Sequence, residues 1–135
     1  MDARQTVSFL LFLPKKFHDL GNVSVYALLA ESGYLDSSED ITEEAILQGL
    51  HAQPECIQDW RIFSEDKRTT GWYLMEPVNG CYGVGYIPPK GQARIADLKY
   101  SDEASACAAF IKREIENIRI VVSRAESRRK RKPND

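Results

Sequence analysis

Seven apolar side chains, Ala104, Cys107, Ala108, Ile111, Ile115, Ile118 and Val122, recur at three- and four-residue intervals towards the end of the chain. Side chains so spaced fall on one face of an α-helix, so this segment predicts a long amphipathic helix that must lie against other apolar surface. Ser101 is its expected N-cap, and Asp102 and Glu103 suit the positive end of the helix dipole. The residues upstream predict what the helix covers. Gly71 to Glu76 is rich in aromatic and long apolar side chains and runs to Asn79-Gly80, the dipeptide best suited to a two-residue hairpin turn. Cys81 to Ile87 is the matching strand. Pro88-Pro89-Lys90-Gly91 closes it, and Ala93 to Leu98 reads as a further short strand. From Trp60 the pattern also shows period two, with Trp60, Ile62 and Ser64 on one side and Arg61, Phe63 and Glu65 on the other, which predicts a strand turning at residues 65–69. The middle of the chain is therefore expected to be an antiparallel meander with one face covered by the last helix.

The N-terminal half predicts helices. Thr6 to Leu13 is a continuous apolar run that fits a buried strand or a helix, and the helix is the expectation taken here. Asn22 or Ser24 can cap a short helix through Glu31, with Gly33 available for a left-handed stop. Asp40 followed by Glu43 makes a capping box the expected start of a helix through His51. Pro54 ends or restarts that helix and leaves residues 55–59 ambiguous. The fold class expected is α+β: N-terminal helices, a small antiparallel β-meander and a long C-terminal helix. At 135 residues, residues 1–126 are expected to form a single domain and residues 127–135 a basic, frayed, solvated tail.

Charge is distributed unevenly. Between Glu31 and Asp66 ten carboxylates face one basic side chain, Arg61. Residues 1–117 carry eleven Lys/Arg against eighteen Asp/Glu, and residues 118–135 carry seven against two, so an acidic body is joined to a basic end. Ile41, Ala45, Ile46, Leu47, Leu50, Ile57, Trp60, Ile62 and Phe63 are threaded through the acidic run and would bury one side of each element, turning the carboxylates outward. Such a surface suits a cationic partner, although acidic residues also serve ordinary solvation and, at Glu43 and Glu44, the helix dipole. Nucleic acid is a poor main partner for the body, which would repel a polyanion; the run from Arg128 to Lys132 could contact phosphates. Trp60, Trp72, Tyr73, Tyr82 and Tyr86 cannot all face the core of a small sheet, so some are expected at the surface, where aromatic rings beside carboxylates make an interaction surface.

Readable enzyme chemistry is lacking. His18 and His51 stand in no metal-ligand or nucleophile spacing, adjacent pairs such as Glu43-Glu44 point in different directions, and no catalytic residue, metal or cofactor is expected. The segment from Gly83 to Tyr86 lacks the third glycine of a dinucleotide loop and lies in a strand, where its glycines serve a bulge or close packing. Cys56, Cys81 and Cys107 are odd in number and set in apolar patterns, which fits free thiols and a cytoplasmic location. The apolar run before Pro14 is too short to span a bilayer and leads to Lys15 and Lys16, so neither export nor a membrane span is expected.

The stretches WRIFSEDKRTTGWYL from Trp60, YGVGY from Tyr82 and ACAAFIKRE from Ala106 resemble small bacterial immunity proteins of polymorphic toxin systems, of the contact-dependent growth inhibition or Rhs type. The likeness runs over residues 22–120 and is one of size, element order and local phrasing, without a diagnostic motif. It implies a cytoplasmic inhibitor that binds one cognate basic toxin domain, often a nuclease. It leaves the basic end from Arg128 unexplained. Carboxylates that occupy a basic cleft would also speed association, to about 10⁸ M⁻¹s⁻¹ at low salt. On that basis Glu39, Asp40, Glu43, Glu44, Glu55, Asp59, Glu65 and Asp66 are the expected steering or contact residues, with Trp60 and Trp72 as anchors. Arg61, Lys67 and Arg68 would tether local carboxylates or orient the turn. The alternative is a regulatory or adaptor protein that contacts nucleic acid through its basic C-terminal tail, and a third possibility is a small enzyme with no readable motif.

Overall fold

A computed structural model describes residues 1–89 and 95–131, with the backbone alone at 95–97, 130 and 131. Its order is α1 (Ala3–Leu11), α2 (Leu13–Leu20), α3 (Val25–Glu31), α4 (Tyr34–Ser37), α5 (Glu43–Ala52), α6 (Glu55–Asp66), β1 (Gly71–Leu74), β2 (Tyr82–Ile87), β3 (Ile95–Tyr100) and α7 (Glu103–Arg131). The α+β class and the long C-terminal helix are those expected. Lys90, Gly91 and the start of the third expected strand at Ala93 lie outside the described residues, as do Lys132 and Pro133.

Local chemistry explains most boundaries. Asp2 and Gln5 satisfy each other's backbone N–H groups in a capping box that starts α1. Ser24 accepts from the Ala27 N–H to start α3, and Gly33, at φ 86°, makes the left-handed turn into α4. The expected Asp40–Glu43 box does not form. The Asp40 and Ile41 N–H groups bond back to the Ser37 carbonyl, which keeps residues 37–41 in a turn, and the Thr42 hydroxyl caps α5 from the Ala45 N–H instead. Ile41 before that cap and Ile46 in the second turn are both fully buried, the arrangement of a hydrophobic staple. Likewise Asp102, not Ser101, caps α7: its carboxylate accepts from the Ser105 N–H at 2.9 Å and the Ser105 hydroxyl at 2.8 Å, and these bonds hold its pKa low.

The largest correction concerns Trp60 to Glu65, which is helix and not strand. Cys56, Trp60 and Ser64, four residues apart, are the buried side of α6, whereas Ile62, placed with Trp60 by period two, is 45% exposed. A helix restarted by Pro54 accommodates both patterns over so short a stretch, and burial of the i, i+4, i+8 set decides between them. Ser64 then ties α6 to the sheet, accepting from the Leu74 N–H at 2.8 Å.

The sheet is the expected meander, order β1-β2-β3, all antiparallel. Asn79 and Gly80, at φ 53° and 76°, form the two-residue turn, and Val78 and Cys81 exchange backbone hydrogen bonds across it. A bulge falls between Val84 and Gly85, where the paired glycines allow it. The register places Trp72 opposite Tyr86 and Leu74 opposite Val84, on one face. Arg113 of α7 lies over the Trp72 ring, so that face is turned to α7. None of the five aromatic rings expected to reach the surface is fully exposed: Trp60 is buried in α6 and Tyr73 lies under Lys67, while Trp72, Tyr82 and Tyr86 share the sheet face turned to α7.

Helix α7 is also covered on its far side. Ala106 through Ile111 are buried in unbroken succession, which requires neighbours all round, and α5 and α6 supply the second layer. Helix α1 closes over α5 at Gly49, where an added Cβ would stand 2.9 Å from Leu11 Cδ1 and 3.0 Å from Val7 Cγ1. Gly49→Val is expected to destabilise the fold by about 1–3 kcal/mol through overpacking of this crossing, measured by urea unfolding. Among the described residues no helix is long and apolar enough to cross a membrane.

Candidate protein-binding groove beside helix α6

The carboxylates expected to steer a partner divide into two groups. Glu39, Asp40, Glu43 and Glu44 lie in and just after the turn that leads into α5. This group faces the cations of α7: Arg113 pairs with Glu43 at 2.7 Å, and Arg119 lies within electrostatic reach of Glu39. Beside them a packed network uses further charge. The buried Tyr34 hydroxyl donates to Glu116 and accepts from Lys112 at 2.8 Å, Lys112 also donates to the Ser38 carbonyl, and Arg119 holds Glu116 through two contacts of 2.9 Å. Those hydrogen bonds, first from Arg119, keep the Glu116 carboxyl below its ordinary range. Much of the α5 group's field is therefore balanced within the fold.

The second group has no direct pairing of this kind among the described residues, although Lys15 and Arg68 line the groove beside it. Glu55, Asp59 and Asp66 recur at four and seven residues along α6 and share one stripe with Ile62. All four line an open groove of about 1060 Å³ between α2 and α6. None of the three carboxylates is in an ion pair among the described residues. Glu65 is exposed on the neighbouring side of the helix. Apolar surface runs with the charge: Phe17 of α2, 37% exposed, meets Phe63 edge to face at 6.4 Å, and Ile118 of α7 lines one end.

At the head of the groove a buried ion pair fixes the chain as it leaves α6. Lys67 Nζ stands 2.6 Å from Glu114, donates to the Trp72 carbonyl at 2.8 Å and lies over the Tyr73 ring. Gly71, at φ 146°, lets β1 begin against this cation, since a Cβ there would stand 3.1 Å from Lys67 Nζ. Burial holds the Glu114 carboxyl above its ordinary range even with Lys67 beside it. Arg61 similarly reaches Glu103 of α7 through two contacts of 2.9 and 2.7 Å. Arg61 and Lys67 therefore tether α7 rather than neighbouring carboxylates, and Lys67 also orients the turn into β1, the other role expected of it.

Neither tryptophan matches its expected role. Trp60 has no exposed surface and packs edge to face on Phe63 and Phe110, so it supports α6 from inside. Trp72 is half-buried between Tyr86 and Arg113, under α7. The apolar contact surface in the groove instead comes from Phe17, which the sequence reading passed over, and from Ile62, which it expected to be buried. The i, i+4, i+7 spacing of Glu55, Asp59 and Ile62 carried the signal, had residues 55–66 been read as one helix.

Chemical reactivity is not concentrated here. His18 lines the groove from α2, and His51 is exposed at the end of α5. Among the described residues no three His, Cys, Asp or Glu side chains gather as metal ligands. Burial, reinforced by nearby carboxylates, pushes the thiols of Cys56 and Cys107 up to about 11 and about 12, which disfavours thiolate. No protein-family model, curated protein or solved structure matches this chain.

Proposed function

We propose that the chain is an inhibitor of the immunity type, which binds a cationic toxin domain through the carboxylate and apolar stripe of α6. The carrying observation is the row Glu55, Asp59 and Asp66, without ion-pair partners among the described residues and set beside exposed Ile62 and Phe17. Carboxylates at these spacings present repeated negative charge to a basic cleft, as a phosphate backbone does, and the adjacent apolar groups supply desolvated contact area. Trp60 acts from within by fixing the rotation of α6. The turn into α5, from Glu39 to Glu44, adds long-range attraction but less contact.

A nuclease domain is the partner class that a phosphate-like row fits best. The test is surface plasmon resonance against a candidate cationic nuclease-toxin domain. Replacing Glu55, Asp59 and Asp66 together by Lys is expected to slow association on the order of 100-fold at low salt and less at high salt. Equal rates for the variant and the parent, or loss of binding on removing residues 127–135 alone, would overturn the proposal and favour the nucleic-acid adaptor.

A further inference from the structure

The basic end of α7 is left unused by the inhibitory reading, and its geometry is specific. Helix α7 continues to Arg131, and residues 123–129 are all exposed, so the helix leaves the body as a stalk beyond Val122. Around the stalk's circumference Val121, Val122, Ala125, Arg124, Arg128 and Arg129 occupy one half, and Ser123, Glu126 and Ser127 the other. The exposed apolar side chains, of which Val121 is 52% exposed, thus lie on the same side as three guanidinium groups that have no ion-pair partner among the described residues.

The α6 stripe complements this face, three carboxylates with Ile62 against three arginines with Val121 and the half-buried Val122, in a groove that Lys15 and Arg68 also line. Residues 123–131 rise about 14 Å, which fits within the roughly 18 Å of the twelve residues of α6. A chain's own stalk cannot fold back into its own groove, because α7 is unbroken from the core to Arg131. A second copy carries both halves of the match, which is the condition for a closed two-fold interface.

We propose that the stalk of α7 docks in the α2–α6 groove of a second copy, its arginines on Glu55, Asp59 and Asp66 and its valines against Ile62 and Phe17. Each protomer gives one stalk and receives one. A nucleic acid is the less suited occupant of the stalk, because the acidic body to which the stalk is joined repels a polyanion. The dimer shares the α6 row with the proposed inhibitory site, and a toxin domain would compete with the stalk for it. Self-association is measured on the chain alone, so its failure would leave inhibition standing.

The test is sedimentation velocity of the full chain. A dimer is expected at low salt and a monomer at about 1 M salt, where the Debye length is about 3 Å. The stalk variant Arg124→Glu/Arg128→Glu/Arg129→Glu and the groove variant Glu55→Lys/Asp59→Lys/Asp66→Lys should each be monomeric alone. Mixed one to one they should regain the twofold mass, because each reversed stalk then meets a reversed groove. A parent chain that is monomeric at low salt would overturn the proposal. So would variants that keep the parent's circular dichroism yet stay monomeric when mixed, or a stalk variant that loses binding to a duplex oligonucleotide with its mass unchanged.

Discussion

Lys67→Met is expected to lower the free energy of unfolding by about 3–5 kcal/mol at neutral pH, because it strands the Glu114 carboxylate where little solvent reaches it. Lys67 and Glu114 keep only 10% and 5% of their side-chain surface exposed, so the loss is that of a buried pair and not a surface one. The deficit should depend on pH with a definite sign. A carboxyl whose pKa is raised by folding binds its proton more tightly in the folded state. It therefore costs stability as the pH rises from the ordinary value of 4.5 through its raised value, and the cost vanishes below 4.5. Removing Lys67 takes away what lowers that pKa, raises it further and widens the window, so the variant's deficit should shrink on acidification as Glu114 protonates. The double variant Lys67→Met/Glu114→Leu should recover most of the loss. Urea unfolding at neutral and acidic pH measures all three, and a deficit that is small or independent of pH would show the pair to be solvated.

Trp60→Ala should cost about 3–5 kcal/mol by emptying the space between α6 and α7, whereas Trp60→Phe should cost less than half as much. The milder change follows from the indole N–H, which is buried without an acceptor among the described residues and disappears in the phenylalanine variant. Partner binding distinguishes this role from that of an anchor. A folded Trp60→Phe chain should bind its partner as the parent does, and an affinity loss without a loss of stability would return Trp60 to the contact surface.

The fold was legible where local chemistry and burial agree. The Asn79-Gly80 turn, the apolar stripe from Ala104 to Val122 and the left-handed stop at Gly33 each have one economical reading, and the structure adopts it. Residues 60–65 failed because six residues with apolar groups at positions 60, 62 and 63 satisfy period two and period 3.6 alike. That error carried into the site. Read as a strand, the segment put Trp60 with Ile62 and Ser64, opposite Arg61 and Glu65; as helix α6 it buries Trp60 and aligns Glu55, Asp59, Ile62 and Asp66. The helix starts at Thr42 and Asp102 differed from expectation by one or two residues because neighbouring polar side chains compete for the same N–H groups. The cross-chain ties from Lys67 to Glu114 and from Arg61 to Glu103 had no sequence signal, since each joins residues more than forty positions apart.

Hydrogen exchange of the chain with and without a cationic nuclease-toxin domain that it binds tests the central claim most directly. Binding along the α6 stripe predicts added protection in the backbone of residues 14–19 and 55–68, the two banks of the groove, with the sheet unchanged. Protection confined to residues 123–131, or to the β1–β2 hairpin around Asn79, would contradict it.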